Sequence, residues 1–256
     1  MTEPSQDTHS HQHAESNGNQ PNDRTAWLSA LIGIVASPRR SFDIIRRRSP
    51  WLGAAVFLVA GTMALTSLLA PFGLQALRKQ LTQQMPQEQV EAMMNQFEQT
   101  AAATRWLSMA TGPTLVVIGI LVQAVFVYLL AVAFQGQARF AQSLSLMLHL
   151  GVIAHLKNWA NLLFLHLRGL DAVRSQQDLQ APMGLDVLAG DNPALNAVYA
   201  SVNPFTIWLL VLLGLGAAAV YQLPRRKGLM LAGLYWAAST ALSAGLAGVA
   251  GGLLPT

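Results

Sequence analysis

Two stretches of this chain, Trp51 to Pro71 and Thr114 to Phe134, each run for 21 residues without one charged side chain. A hydrocarbon core of about 30 Å is crossed by roughly 20 apolar residues in a helix. Lipid supplies no partner for a bare backbone group, so a stretch of this kind crosses as a helix that bonds within itself. Two more stretches qualify, Phe205 to Gln222 and Leu229 to Gly252, joined by the basic turn 223–228 that forces them antiparallel. A fifth, Leu144 to His166, is long enough but carries His149, His155, Lys157, Asn158, Asn161 and His166. Charged residues are 11% of the chain, less than half the roughly 25% of a soluble domain. The fold class is therefore an all-α integral membrane protein, a bundle of five transmembrane helices with its N-terminus cytoplasmic. The spans are about 51–71, 114–134, 144–166, 205–222 and 229–252.

Charge decides the count of crossings. Lys and Arg concentrate in cytoplasmic loops, and five crossings place ten of them (Arg24, Arg39, Arg40, Arg46, Arg47, Arg48, Arg139, Arg225, Arg226, Lys227) on one side against five on the other. Dropping the third span would put the basic turn 225–227 outside. Prolines fit these limits: Pro50, Pro113 and Pro204 open spans, where proline is tolerated, and Pro71 and Pro224 follow span ends. Residues 1–26 form a polar tail with too little apolar surface to order itself. No basic-then-apolar pattern precedes Trp27, so the first span is expected to direct insertion.

The segment 27–49 is amphipathic and basic. Leu28, Leu31, Ile32, Val35, Phe42 and Ile45 supply its apolar face, broken at Ser37-Pro38, and it ends in Arg46-Arg47-Arg48. An in-plane helix on the cytoplasmic leaflet is expected, with Arg39, Arg40, Arg46, Arg47 and Arg48 as lipid-surface contacts, each worth on the order of 1 kcal/mol against anionic lipid. The alternative is that these arginines only set topology. In the loop Phe72 to Gly112, the spacing of Val90, Met93, Met94 and Phe97 predicts an amphipathic helix over 85–100. The loop Arg168 to Val202 scatters Asp171, Asp178, Asp186 and Asp191 without calcium-loop spacing and reads as solvated.

An ionisable residue inside a span is a functional hypothesis by default. Measured around the helix from His149, Lys157, Asn158 and Asn161 lie at about 80°, 180° and 120°, one polar face. His155 and His166, at about 240° and 260°, fall on the far side, so the histidines do not converge on a metal. A transport reading makes Lys157 a substrate or proton site with Gln123 of the second span as partner. The competing reading has Lys157 snorkelling to the external interface and the asparagines acting as interhelical glue. No acidic residue occurs in any span.

Searches for catalytic and phosphate-binding motifs come back empty, and zero cysteines exclude disulfides, thiolate zinc and thiol chemistry. Neither cofactor nor metal is expected, and His9, His11 and His13 read as tail composition. Gly233, Ala237, Ala241 and Gly245 form a small-residue stripe expected to pack inside the bundle. The partners expected are the bilayer and a protein partner or second copy, with no nucleic acid. The function expected is a non-enzymatic scaffold or partner-binding protein; the alternative is a small transporter or channel using the polar third span.

Asn203-Pro204-Phe205-Thr206-Ile207-Trp208, then Gly214 and Gly216, then Arg225-Arg226-Lys227, resembles the fourth span of the Yip (Ypt-interacting protein) domain family. Ser37-Pro38-Arg39-Arg40-Ser41-Phe42 before the first span and Gln135-Gly136-Gln137-Ala138-Arg139-Phe140 before the third strengthen the likeness, which covers about residues 37–250. The resemblance implies a five-span bundle with cytoplasmic N-terminus, of the bacterial inner-membrane type; eukaryotic relatives are associated with small GTPases and vesicle traffic. The third span departs from the family, which often has Tyr and Pro where this chain has His149 to Ala154. The resemblance brings no catalytic residues.

Overall fold

The computed structural model describes residues 25–188 and 192–253, and every regular element among them is helical. Residues 1–24 of the tail, with its three histidines, lie outside the described residues, and Ala26 at its end already belongs to the first helix. Helix α1 (Ala26–Ala36) stops at Ser37 because the residue before a proline is pushed out of the helical region, and Pro38 then opens α2 (Pro38–Arg48) in the first-turn position. α1 buries Ala30, Leu31 and Ile34, and α2 buries Phe42 and Ile45. The two pack on each other and on the bundle, so segment 27–49 is a folded helix pair with its break at Ser37-Pro38.

α3 (Trp51–Gln84), α4 (Gln87–Gln99) and α5 (Ala101–Ala133) follow almost without interruption. The helix predicted over 85–100 is present as α4, but the expected loop around it is not. α3 runs straight through Pro71, and Pro113 lies inside α5, so neither proline marks a helix end. An interior proline costs about 3 kcal/mol; beyond Pro71, burial of Phe72 and Ala76 against Leu162, Leu165 and Val173 offsets that cost. Lys79 Nζ also donates to the Asp171 carbonyl at 2.7 Å.

α6 (Phe140–Arg168) leads through three 3₁₀ turns, Leu170–Ala172, Gln177–Leu179 and Leu185–Leu188, to α7 (Pro193–Ala200), α8 (Pro204–Val220) and α9 (Arg225–Leu253). Among the described residues three helices are long and apolar enough to cross a membrane: Trp51–Gln84, Met109–Ala133 and Arg225–Val249. α7 and α8 meet at 63° and would make a fourth span if taken together. α6 contains the 144–166 stretch but is too polar to qualify. It packs against α3, α5 and α8 and buries thirteen residues, among them the polar Gln142, Ser143, Ser145, His149 and His155, while Leu163 and Leu167 are exposed. α3, α5 and α9 turn Val56, Leu115, Val122 and Leu246 outward.

The last turn of α2, the start of α6 and the turns that follow α5 and α8 lock together at one end of the bundle. Gln142 Nε2 donates to the Arg46 carbonyl at 2.9 Å, and the Gln137 amide donates to the Tyr221 carbonyl at 2.9 Å. Tyr221 O–H donates to Ser143 Oγ at 2.8 Å, and Lys227 Nζ caps the end of α5 at the Phe134 carbonyl, 3.1 Å away. A cation there suits the negative end of the helix dipole.

The glycines that permit close packing are not those of the expected stripe. Gly233, Ala237, Ala241 and Gly245 are exposed on the outside of α9, and a Cβ at Gly233 or Gly245 would touch nothing. The α8–α9 crossing rests instead on Gly214 and Gly228, where a Cβ on Gly228 would collide with the Gly214 carbonyl oxygen.

Candidate functional site

Lys157, Asn158, Asn161 and Gln123 all line a single cavity of about 810 Å³ between α3, α5 and α6. Around α6 the lining residues sweep from Lys157 through Leu150, Asn161, Ala154, Asn158 and Gly151 to His155, an arc of about 160° at 100° per residue. His155, expected on the far side, therefore sits at the edge of the cavity. Its Nε2 donates to the Leu58 carbonyl at 3.0 Å and lies 3.3 Å from Thr62 Oγ, which donates to the same carbonyl at 2.8 Å. Two glycines bring α3 this close: a Cβ at Gly61 would stand 2.9 Å from the His155 ring, and one at Gly151 2.9 Å from Leu58. A helical plot with a wider arc, together with these facing glycines, was the signal available in the sequence.

The other histidines face different neighbours. His149 is fully buried toward α1, with Nδ1 donating to the Ser145 carbonyl at 2.6 Å and Nε2 turned toward the Trp27 backbone without a well-formed hydrogen bond. His166 stacks edge-on with Phe72 at 5.0 Å.

Within the cavity the polar residues divide by role. Asn161 is a clasp: its Nδ2 donates to the Leu179 carbonyl at 2.9 Å and its Oδ1 accepts from the Ala181 amide at 2.6 Å, pinning segment 179–184 over the cavity. This tie to a loop replaces the interhelical bond expected of it. The same loop is stiffened by Asp178, whose carboxylate accepts from the amides of Arg174 at 2.9 Å and Ser175 at 3.0 Å. Those bonds, the Arg174 amide first, hold the Asp178 carboxyl below its ordinary value. Gln123 Oε1 accepts from Tyr235 O–H at 2.8 Å, which ties α5 to α9 and leaves the amide nitrogen to the cavity.

Lys157, Asn158 and Thr66 make no hydrogen bond or ion pair among the described residues, although all three line the cavity. A lysine at the centre of a membrane helix costs about 2.5–3.5 kcal/mol on insertion scales. Here it is half-buried beside Leu150 and Ala154, one turn from the clasp at Asn161.

The arginines gather at the other candidate surface. Arg39, Arg40, Arg47 and Arg48 are exposed on α2, while Arg46 is half-buried and lies 3.6 Å from Asp43. An exposed i,i+3 pair of this kind contributes little. Beside them α1 leaves Leu28, Ile32 and Val35 exposed at helical spacing, Ile32 by 60%, and Trp51 and Leu52 at the start of α3 are exposed as well. Phe42 packs into the notch left by Gly216, where a Cβ would stand 2.8 Å from its ring. Of the motif residues, Phe42 thus packs on Gly216, and Gln137 bonds to Tyr221 at the end of the same helix α8.

Compared with known proteins, the chain matches the family model described as the Yip1 domain over residues 32–246. No curated protein and no solved structure matches it.

Proposed function

Because the chain belongs to the Yip1 domain family, we propose that it crosses the bacterial inner membrane five times from a cytoplasmic N-terminus and serves there as a non-enzymatic platform for a protein partner. The observation that carries this reading is the interlocked end of the bundle. There α2, the start of α6 and the turns after α5 and α8 are hydrogen-bonded together, and α2 and the start of α9 expose Arg39, Arg40, Arg47, Arg225 and Arg226. Gathering these cations at one end supports placing that end in the cytoplasm, and the exposed apolar strip of α1 supports seating it in the inner leaflet. The mutual packing of α6 with its neighbours supports counting it as a crossing despite its polarity. A photo-crosslinking residue at position 40 should capture one dominant protein in native membranes, and one at position 89 should not. Capture at 89 alone, or lipid adducts alone at 40, would overturn the platform reading.

A second reading, a small transporter or channel, is favoured by the cavity around Lys157. It requires that Lys157→Leu abolish flux, whereas the platform reading requires that localisation and partner capture survive that change.

A further inference from the structure

The cavity has a one-sided chemistry. Among the described lining residues Lys157 is the only Lys or Arg, and none is Asp or Glu. Among the described lining residues, the polar groups without protein partners are the Lys157 ammonium, the Gln123 amide nitrogen, Asn158, the Thr66 hydroxyl and the exposed Gln180 amide. Four of these five offer nitrogen-bound protons, and the hydroxyl can donate as well. The rest of the wall is apolar, with Leu58, Leu65, Leu115, Ile120 and Met147 prominent. About 810 Å³ falls within the roughly 300–1,000 Å³ of sites that hold small molecules.

We propose that this cavity binds a single-chain amphiphile with one anionic head group, a carboxylate or a phosphate, the head held by Lys157 and the chain along the leucine wall. A charge withdrawn in part from water is stabilised by pairing, and an anion is the partner that the described residues of the wall do not supply to the half-buried Lys157. A cationic ligand would meet Lys157 with like charge, and a small hydrophilic anion would leave the leucine wall bare. The apolar molecule that reaches a mid-bundle cavity from lipid is an acyl chain, and the donors clustered on α5 and α6 recognise its head. Asn161 holds segment 179–184 as the roof of this site. The proposal needs neither partner capture nor flux, so it stands or falls apart from both readings above.

The test uses the full chain in nanodiscs of phosphatidylcholine. Four pyrene-labelled probes of equal chain length are titrated: a fatty carboxylate, an alkyl phosphate, the fatty alcohol and the trimethylammonium analogue. One saturable site per chain is expected, with at least one anion binding tenfold or more tighter than the alcohol and the cation failing to compete. Lys157→Gln should weaken the anion at least tenfold and leave the alcohol unchanged, while Lys157→Arg should retain most of the affinity. Preference for the carboxylate would identify a fatty acid as the source, and preference for the phosphate a lipid head group; either supports the site. Equal binding of alcohol and anions, or loss of binding on neutralising Arg39, Arg40, Arg47 and Arg48 but not Lys157, overturns it. Should Lys157→Gln fail to fold, a diazirine-bearing carboxylate on the unaltered protein decides the matter: adducts within 115–123 or 147–161 support the site, and adducts confined to the outer face of α9 refute it.

Discussion

Gly228→Ala and Gly233→Ala place the same methyl group on the same helix five residues apart, and the structure predicts opposite outcomes. At Gly228 the new Cβ would collide with the Gly214 carbonyl oxygen and stand 3.0 Å from both the backbone nitrogen and the Cβ of Ala218. These are backbone neighbours across the α8–α9 crossing, with no side-chain tip to swing aside. Overpacking of this kind costs typically 1–3 kcal/mol, against a gain of up to about 1 kcal/mol from replacing glycine in a helix. With that gain in full, Gly228→Ala should therefore destabilise by up to about 2 kcal/mol net. At Gly233 nothing stands within 4 Å, so only the propensity gain remains and the variant should be neutral or up to about 1 kcal/mol more stable. Subtracting one variant from the other cancels the helix term and isolates the crossing at about 1–3 kcal/mol. Reversible denaturation in mixed micelles, followed by tryptophan fluorescence, measures both. Agreement of the two within about 0.5 kcal/mol, the scatter of neutral surface changes, would refute the claim that α8 and α9 meet at these glycines.

Asn161→Ala removes both bonds that hold the loop over the cavity; it should destabilise by about 1–3 kcal/mol and raise hydrogen exchange in 177–184 while α6 stays protected. The Asp178 carboxyl is held below its ordinary value of 3.8, so its contribution is complete above that pH and is lost as pH falls through the lower, folded value. Exchange at the Arg174 and Ser175 amides should accordingly rise only in acid, and Asp178→Asn should flatten that response.

The helices α3 and α5 were legible because their outer faces meet lipid, which leaves long charge-free runs. α6 was legible only by its length and by the angular clustering of Lys157, Asn158 and Asn161, since a helix that packs one side on protein need not be apolar on that side. The same clustering, with Gln123 added, located four lining residues of the cavity. It left out His155, because 240° looks like the far side until the cavity is seen to span a wide arc. The continuation of α3 beyond Pro71 was hidden for a different reason. A proline reads as a stop locally, and what overrides it is burial of Phe72 and Ala76 against residues some ninety positions away. Likewise the stripe from Gly233 to Gly245 has the spacing of a packing face, yet spacing does not say which way a face turns. The two roles within the polar set, clasp for Asn161 and open donor for Lys157, depend on where the 179–184 loop lands, which no local pattern records.

Whether α6 crosses the membrane is the central question, because parity then places the end carrying the arginines and the 225–227 turn on one side. The chain has no cysteine, so the single substitutions Gln137→Cys and Gln176→Cys, at exposed positions that flank α6, can each be probed with a membrane-impermeant maleimide in sealed, oriented membranes. If α6 crosses, the Gln176→Cys variant reacts from outside and the Gln137→Cys variant reacts only after the membrane is opened. Equal reactivity of the two variants from the same side would mean that α6 returns to the face it entered from, and the five-crossing arrangement would be wrong.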